Sequence, residues 1–422
     1  MREGPETPEA PRHHRRETCR LCGGRALERV LELTPTPPAN ALVPEPLRKR
    51  PQRCFPLDVY FCESCQHAQL LDIIDPVDLF RDYVYVSGTS AVNVDHFGRY
   101  ARQVMEKTGL ERGDLVVEIG SNDGTMLRFF KDAGMRVLGI DPAREIANAA
   151  TAGGIETLAE FFNLELARRI RSRHGPAKVV CANNVCAHID DLESAIRAAR
   201  ELMEPDGVFV FQVSYLLDVY DKTLFDTMYH EHLDYHRVGP LRRFFDRLDM
   251  RLWCTERVEA QGGSLRGYVS PKARALAVQP SVATMEAEER AAGLDRPETL
   301  RAFSGRIRRA GVELMALLAG LKARGHSIAG YGAPAKATTL MYHFGLDGSV
   351  VDYIVEDNPL KHGLFTSGLH IPVVPVDWLY QRRPDYVVAL AWNFAESIMA
   401  NHKRFTQQGG RFVIPLPALS VR

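Results

Sequence analysis

Long hydrophobic runs, an excess of charge of one sign and a disulfide framework are all missing from this sequence. No apolar run approaches the roughly 20 residues that cross a bilayer, and the polar first residues contain no signal-peptide core. The 53 Lys and Arg residues balance the 53 Asp and Glu residues, so charge indicates neither nucleic acid nor a membrane as a partner. We therefore expect a cytoplasmic protein.

Cysteine is scarce, and its spacing points to a metal. Of 8 cysteines in 422 residues, four form the pairs Cys19-Arg-Leu-Cys22 and Cys62-Glu-Ser-Cys65, while the others are scattered. Two such pairs can converge as four thiolates on one tetrahedral zinc ion, with no open coordination position, so we expect a structural site. The loop between the pairs is longer than in most zinc ribbons, and Cys54 and His67 are lower-ranked alternative ligands.

The rest of the chain is organised around residues 115–124, LVVEIGSNDG. Three apolar residues run into an acid and a glycine turn, and a helix-like segment begins at Thr125. A second apolar segment ends at Asp141, about twenty residues beyond the turn, the reach needed to accept hydrogen bonds from ribose hydroxyls. This pattern predicts a buried strand, a tight turn and a helix N-terminus that hold a nucleotide-like ligand.

The residues of the turn favour a cationic ligand over a dinucleotide. Asn122 replaces the second glycine of a G-x-G-x-x-G fingerprint, and Glu118 and Asp123 would repel a pyrophosphate. Acids suit a sulfonium that carries an α-amino group. The segment from Glu118 to Gly124 resembles motif I of class I S-adenosylmethionine (SAM) methyltransferases; the alternative is a strand–turn–helix without a ligand.

Beyond the turn, helical and strand patterns alternate regularly. Helices are predicted over 143–152, 163–173 and 190–203, with strands over 154–157, 178–184 and 207–213, and an antiparallel pair closes the unit. Such alternation predicts a doubly wound parallel sheet, whose ligand groups come from the carboxyl ends of its strands. The expected cofactor-binding residues are Glu118, Gly120, Asn122, Gly124, Asp141, Glu160, Phe161 and Asn183.

A histidine-rich segment, Tyr229-His-Glu-His232, suggests acid–base chemistry. The H-E-x-x-H spacing of zinc proteases is absent from it. Histidine titrates near neutrality, and a neighbouring carboxylate can orient one ring nitrogen while the other takes a proton. The alternative is a pair of histidines that caps a loop.

Together with residues 83–89 (YVYVSGT), 183–188 (NNVCAH), 330–339 (GYGAPAKATT), 356–363 (EDNPLKHG) and 391–394 (AWNF), these motifs resemble the sugar 3-C-methyltransferases of antibiotic deoxysugar pathways. The likeness covers nearly the whole chain. It implies methylation of C3 of a dTDP-4-keto-deoxyhexose with SAM, a zinc-bearing N-terminal domain and a monomer. By residue-wise match the base falls on His232, and further active-site groups fall on Tyr83, His188, Tyr229 and Glu231.

The resemblance implies an enolate mechanism. A C4 ketone acidifies the C3 proton, His232 oriented by Glu231 removes it, and Tyr229, Tyr83 or His188 binds the developing oxyanion. An O- or N-methyltransferase with the same SAM domain is the alternative, since it needs no carbon-acid base. A dehydrogenase or a non-catalytic zinc protein are further rivals.

The C-terminal portion predicts a second, smaller Rossmann-like unit after a helical linker. A glycine turn at 330–332 opens a helix in which Pro334 should take the first position, and Lys336, Asn358 and Lys361 could bind the substrate phosphates. A glycine turn that merely closes a packed sheet is the alternative. Ser87, where the chain can bend over a ligand, is a further expected substrate contact.

The expected fold class is thus α/β with three folded parts, as the length also suggests. We expect a disordered tail over 1–16, a zinc-binding domain over 17–78, a central class I SAM methyltransferase domain with a Rossmann-like sheet over 79–270, and a helical linker plus the smaller Rossmann-like domain over 271–422.

Overall fold

The computed structural model describes residues 12–81, 86–89 and 91–422. The N-terminal elements are short: β1 (His13–Arg15), β2 (Leu27–Leu31), β3 (Val43–Pro44), β4 (Val59–Cys62), β5 (Ala68–Leu70), β6 (Asp72–Ile74) and α1 (Pro76–Phe80). β1 pairs antiparallel with β6, which corrects the expected disorder at residues 13–15. Asp72 of β6 supplies the side-chain contacts of this strand, since it lies 3.0 Å from His13 and 2.5 Å from Arg15.

The central part carries the alternating elements. They are α2 (Ala91–Thr108), β7 (Leu115–Ile119), α3 (Thr125–Asp132), β8 (Arg136–Ile140), α4 (Arg144–Ala152), β9 (Thr157–Leu158), α5 (Leu164–His174), β10 (Ala177–Asn183), α6 (Leu192–Leu202), β11 (Met203–Ser214), α7 (Leu216–Asp221), β12 (Asp234–Tyr235), α8 (Val238–Arg247), β13 (Met250–Val258) and β14 (Ser264–Pro271). Asn163 and Asp191 accept hydrogen bonds from backbone amides at the starts of α5 and α6, as helix caps do.

These strands form a sheet in the order β13-β14-β11-β10-β7-β8-β9. The pairs from β11 to β9 are parallel, while β14 and β13 are antiparallel, which confirms the predicted doubly wound sheet and its closing pair. Every residue of β7 is buried, as expected for a central strand covered on both faces. The strand order reverses between β7 and β10, and such a switch point is where an open α/β sheet binds its ligand.

The C-terminal part begins with two helices and ends in a smaller sheet. Its elements are α9 (Pro280–Ala291), α10 (Pro297–Ala323), β15 (Ile328–Tyr331), α11 (Ala335–Phe344), β16 (Ile354–Glu356), β17 (Leu364–Phe365), β18 (Val373–Pro375), α12 (Asp377–Gln381), β19 (Tyr386–Ala389), α13 (Ala395–Asn401), α14 (Lys403–Gln407), β20 (Arg411–Ile414) and β21 (Ser420–Val421). The sheet order is β18-β16-β15-β19-β20-β21, parallel except for β21. This is the predicted second Rossmann-like unit, with its switch point between β15 and β19. Pro334 precedes α11 as its N-cap residue, one position before the expected one.

The three parts are interlocked. β12 follows the histidine segment in sequence but pairs with β5, so the N-terminal sheet runs β12-β5-β4-β2. β3 of the N-terminal part pairs with β17 of the C-terminal part. Within the described ranges, none of the helices combines the length and apolar character that crossing a membrane requires.

Candidate active site

The glycine turn after β7 adopts a conformation that its sequence demands. Gly120, Asn122 and Gly124 have φ values of 70°, 50° and 72°, in the left-handed region. A Cβ on Gly120 would lie 2.3 Å from Cγ2 of Val185, and one on Gly124 would lie 2.8 Å from Ile155. The turn is therefore pressed against the segment that leaves β10, and glycine is required for space as well as for φ.

Asp141, at the end of β8, closes the turn from the side. Its two carboxylate oxygens accept backbone N–H groups from Asn122 at 2.8 Å and Ala143 at 2.9 Å. Burial raises the pKa of Asp141, and these two amides oppose the shift. Each oxygen keeps a lone pair, so the carboxylate can still accept the ribose hydroxyls that the sequence analysis assigned to it.

The carboxyl ends of β7 and β10 gather buried polar atoms. Oε2 of Glu118, Oγ of Ser121 and Oδ1 of Asn183 are buried and have no hydrogen-bond partner among the described residues. Burial raises the pKa of the Glu118 carboxyl well above its usual range. A cation placed here would restore its ionised form, so these groups fit the α-ammonium and sulfonium charges of SAM.

A short turn, Ser87–Thr89, lies over the glycine loop. The backbone amide of Ser87 donates to Oδ1 of Asn122, and that of Gly88 donates to Oδ2 of Asp123, both at 2.9 Å. Ser87 was expected to contact the substrate, and the structure places its backbone against the cofactor loop. Tyr83, four residues earlier, lies outside the described residues.

Glu160 and Phe161 follow β9 at the edge of the sheet. Glu160 is exposed and paired with Arg169, and the Phe161 side chain is 36% exposed. An exposed aromatic ring beside a predicted cofactor site is available for stacking, and the position at a strand's carboxyl end agrees with the expectation.

His232 is held at both ring nitrogens. Nδ1 lies 2.7 Å from the carbonyl oxygen of Thr227, and Nε2 lies 3.1 Å from the hydroxyl of Tyr229. A carbonyl only accepts, so Nδ1 carries the proton and Nε2 presents a lone pair. Burial lowers the pKa of His232 to about 4, with the Thr227 contact opposing the shift, so the ring is neutral near pH 7.

His188 stacks against His232, with ring centroids 5.0 Å apart, and its other face stacks on Phe80 at 5.4 Å. Burial, reinforced by the neighbouring His232, lowers the pKa of His188 well below its usual range. Its Nε2 is buried without a hydrogen-bond partner among the described residues. A neutral imidazole with a free ring nitrogen can serve a substrate oxygen.

The Glu231 side chain contacts the N-terminal part and not the ring of His232. Its Oε1 accepts a hydrogen bond of 2.7 Å from Nδ2 of Asn40. Because both ring nitrogens of His232 meet other groups, the structure corrects the expected orienting role of Glu231. Successive side chains on this tight turn diverge, and a backbone carbonyl takes that role.

Lys336 lies at the start of α11, where a phosphate contact was expected. Its side chain is 11% exposed, and Nζ lies 3.4 Å from Oδ2 of Asp226 and 4.5 Å from the centre of the Trp392 ring. Trp392 Nε1 donates to the same Asp226 oxygen at 2.7 Å. The lysine is thus part of a buried cluster beside the histidine segment.

Asn358 and Lys361 build the loop that faces the second glycine turn. Oδ1 of Asn358 accepts the amide of Leu360 at 3.0 Å, and Lys361 Nζ donates to the carbonyl of Ala333 at 2.8 Å. The Glu356 carboxylate accepts the Ala333 amide at 2.7 Å. Lys361 therefore holds the turn at the carboxyl edge of β15, while the Asn358 side chain holds its own loop.

The four predicted metal ligands do converge. The sulfurs of Cys19, Cys22, Cys62 and Cys65 all lie within 4.8 Å of one another, with Cys19–Cys65 at 3.4 Å and Cys22–Cys62 at 3.6 Å. Tetrahedral zinc with Zn–S bonds of about 2.3 Å needs sulfurs about 3.8 Å apart, so the set fits the ion. Cys62 raises the pKa of Cys19 to about 12, since neighbouring thiols cannot all ionise unless a cation neutralises them.

Hydrogen bonds from arginine side chains connect this cysteine cluster to the central part. Arg243 and Arg247 of α8 donate to the carbonyls of Cys65 and Leu21, each at 2.7 Å. The buried Arg20 reaches Oδ1 of Asp190 at 3.1 Å. The metal site therefore packs as one unit with α8 and with Asp190 of the central part.

Several groups around the site were not anticipated. Thr227 acts through its backbone carbonyl, and no residue type signals such a role. Asn40 and Trp392 reach the site from distant segments, Trp392 through the neighbouring Asp226, and a single sequence carries no signal for those contacts.

Three family profiles match the chain. One described as "Methyltransferase domain" matches residues 94–257, and one described as "C-methyltransferase C-terminal domain" matches residues 259–417. One described as "Putative zinc binding domain" matches residues 19–80, which include both cysteine pairs. The three matches follow the three structural parts described above.

Individual proteins are similar as well. C-methyltransferase NovU of Streptomyces niveus is 36% identical over 401 residues, which cover 95% of this chain and 96% of that protein. Magnesium protoporphyrin IX methyltransferase from Synechocystis PCC 6803 with bound SAM is 14% identical, covers 43% of this chain and 81% of its own, and has a TM-score of 0.33. The PH0226 protein from Pyrococcus horikoshii OT3 is 13% identical, covers 44% and 95%, and has a TM-score of 0.36. The likeness to the Streptomyces protein extends through all three parts.

Proposed function

This chain belongs to the family of SAM-dependent C-methyltransferases, and we propose that it methylates C3 of a dTDP-4-keto-deoxyhexose through a base-generated enolate. SAM supplies the methyl group, and the N-terminal four-cysteine cluster is its zinc-binding site. The proposed pathway is deoxysugar biosynthesis for an antibiotic.

The observation that supports the proposal is a buried, neutral imidazole, that of His232, linked to the glycine turn through the segment that leaves β10. The segment leaving β10 places Asn183 at the predicted SAM site, Val185 against Gly120, and His188 against His232. The six residues from Asn183 to His188 thus run from the glycine turn to the ring of His232, whose Nε2 has a lone pair that accepts from the Tyr229 hydroxyl. An enolate route needs a base that takes a proton from carbon, whereas O- or N-methylation needs no carbon-acid base.

In the proposed reaction the C4 carbonyl acidifies the C3–H bond, and Nε2 of His232 takes that proton. The electron pair forms an enolate. Its oxygen accepts a hydrogen bond from the hydroxyl of Tyr229, or from His188 in the tautomer that carries its proton on Nε2. C3 then forms a bond to the methyl group as the bond from methyl to sulfur breaks. Tyr83 and Glu231 are proposed as further active-site groups by resemblance.

The nucleotide diphosphate is proposed to bind at the carboxyl edge of β15. A parallel sheet binds ligands at its switch point, and the Ala333 turn, Asn358 and Lys361 line that edge. Lys336 is the cation at the start of the adjoining helix, and Ser87 is proposed to approach the sugar from the cofactor side.

Exchange at C3 tests the proposal. A dTDP-4-ketosugar incubated with the enzyme and S-adenosylhomocysteine in D2O should take up one deuterium at C3, read by NMR, because deprotonation does not need the methyl donor. With SAM, a panel with and without a 3-amino group should give a mass gain of one methyl. Methyl transfer to an oxygen or nitrogen, with no C3 exchange, would favour the alternative chemistry.

We also propose the domain limits 17–78, 79–270 and 271–422, a monomer, and a cytoplasmic location. A cluster of four free thiols is typical of reducing compartments. Light scattering of the purified zinc-loaded protein tests the monomer, since a dimer would double the mass.

A further inference from the structure

The turn that carries Thr227 is held by the C-terminal part of the chain. Residues Phe225–Thr227 form a short 3-10 turn directly before Tyr229. The Thr227 carbonyl orients His232, so whatever fixes this turn also fixes the base. The C-terminal unit contacts three residues around Thr227, namely Phe225, Asp226 and Met228.

Asp226 is the polar anchor of the turn. It is fully buried, its Oδ2 accepts from Trp392 Nε1 at 2.7 Å, and Lys336 Nζ lies 3.4 Å from the same oxygen. Lys336 also lies over the Trp392 ring, so ammonium, carboxylate and indole are in mutual contact. Both contacts are to Oδ2, while Oδ1 is buried without a hydrogen-bond partner among the described residues, so moving the carboxylate away from Trp392 and Lys336 would leave its charge unpaired.

Two further contacts fix the same stretch. The hydroxyl of Thr339, a fully buried residue of α11, donates to the Met228 carbonyl at 2.9 Å. The Phe225 ring packs on Phe344 at the end of α11, with ring centroids 5.0 Å apart. α11 therefore holds the turn on both sides of Thr227.

We propose that the C-terminal domain is a positioning element for the base: Lys336, Thr339 and Trp392 fix residues 225–228 so that the Thr227 carbonyl keeps the proton of His232 on Nδ1. None of the three needs to contact the sugar for this role. If the turn loosens, Nδ1–H loses its acceptor, and the tautomer with the proton on Nε2 gains population. That tautomer cannot take the C3 proton. The inference rests on the proposed function in one respect, the assignment of His232 as the base.

Two variants remove single donors without changing side-chain bulk greatly. Thr339→Val deletes the hydroxyl that reaches Met228, and Trp392→Phe deletes the N–H that reaches Asp226. Each should lower kcat for C3 exchange about tenfold, because a buried acceptor that fixes the turn loses its donor. KM and the Kd for S-adenosylhomocysteine should stay unchanged. Thr339→Ser should restore kcat.

Thr108→Val is the matched control, because it also removes a buried hydroxyl that donates to a backbone carbonyl. The Thr108 hydroxyl donates to the carbonyl of Val104 at the end of α2, the helix that precedes β7. This variant should match the wild type in kcat. Thermal unfolding midpoints of all variants show whether each is folded, and Trp392→Phe keeps the test open if Thr339→Val does not fold.

The tautomer itself gives a readout independent of turnover. Long-range 1H–15N spectra of histidine-labelled protein, with His232 assigned by its loss in His232→Gln, should show protonated Nδ1 in the wild type and a mixture in the two variants. Unchanged kcat and an unchanged tautomer would overturn the inference, as would a raised KM with the tautomer intact, which would make these residues substrate contacts. If the wild type fails to exchange C3, the proposed function fails while the spectra still decide the positioning role.

Discussion

The carbonyl oxygen of Thr227 lies 2.7 Å from Nδ1 of His232, and this contact decides which ring nitrogen is basic. Because the carbonyl requires a donor, the lone pair resides on Nε2, where the Tyr229 hydroxyl lies 3.1 Å away. Burial keeps the ring neutral, so the proposed base already carries this lone pair before substrate binds.

Replacement of His232 by Gln should abolish methyl transfer while cofactor binding persists. Glutamine preserves polarity and approximate size but has no lone pair of comparable basicity, and a lost general base costs about 10²- to 10⁴-fold in rate. Turnover and C3 exchange should fall together, and calorimetry should give an unchanged Kd for S-adenosylhomocysteine. His326→Gln, at the opposite, amino end of β15, is the control. Near-normal turnover in His232→Gln would remove this residue from the role of base.

The pH dependence should report a base that is deprotonated well below neutrality. The lowered pKa of His232, about 4, means that Nε2 is free above that value and is lost as pH falls through it. The rate kcat/KM for C3 exchange should therefore stay flat from pH 7 down to about pH 5.5, where an ordinary imidazole, with a pKa of about 6.5, would be mostly protonated. The Kd for S-adenosylhomocysteine measured over the same range controls for acid damage. A half-maximal rate near pH 6.5 would contradict the neutral, buried state.

Zinc removal should lower both stability and activity. Cys62→Ala removes one of four ligands, and loss of a structural zinc commonly unfolds the small unit around it. Elemental analysis should give one zinc per wild-type chain and less in the variant, together with a lower melting temperature. Cys54→Ala is the matched control, because Cys54 is exposed and lies outside the cluster. A metal-free preparation with unchanged melting temperature would exclude a structural role for the site.

Gly120→Ala should destabilise the SAM turn far more than the strain of a positive φ at residue 120 would by itself. The new Cβ would lie 2.3 Å from Cγ2 of Val185, in addition to the cost of a φ of 70°. Gly109→Ala, with φ of 68° and nothing within 4 Å, isolates the backbone term, about 1 to 2 kcal/mol. Calorimetry should find S-adenosylhomocysteine binding weakened at least tenfold in Gly120→Ala and normal in Gly109→Ala. Adding Val185→Ala should recover binding; failure to do so would show that this contact is not the cause.

Local patterns predicted most of the central fold. Gly109 ends α2 with a positive φ, the segment 115–119 forms a buried strand, and Asp141 closes the turn as its spacing indicated. The cysteine pairs also converged as expected. The features of the central fold depend on neighbours within about twenty residues, where periodicity, capping and turn chemistry can be recognised in the sequence. The cysteine pairs lie about 40 positions apart, and metal-ligand chemistry predicted their convergence.

What sequence reasoning missed depends on distant segments. Nothing in the sequence indicated that the Lys336 ammonium lies beside Asp226, 110 positions earlier. β12 has two residues and no strand pattern of its own; its pairing with β5 comes from tertiary packing. The contact made by Thr227 uses a carbonyl that every residue possesses, so no side-chain pattern can reveal it.

The pairing of β12 with β5 also restricts how this enzyme can be recombined. A hybrid that took residues 17–78 from one parent and the remainder from another would assemble a single sheet out of two sequences, with the seam at Asp234 and Tyr235. That seam begins two positions after His232, the proposed base, so a poor fit between parents would reach the proposed active site as well as the N-terminal sheet. Crossovers should therefore keep residues 17–78 and 229–236 from the same parent.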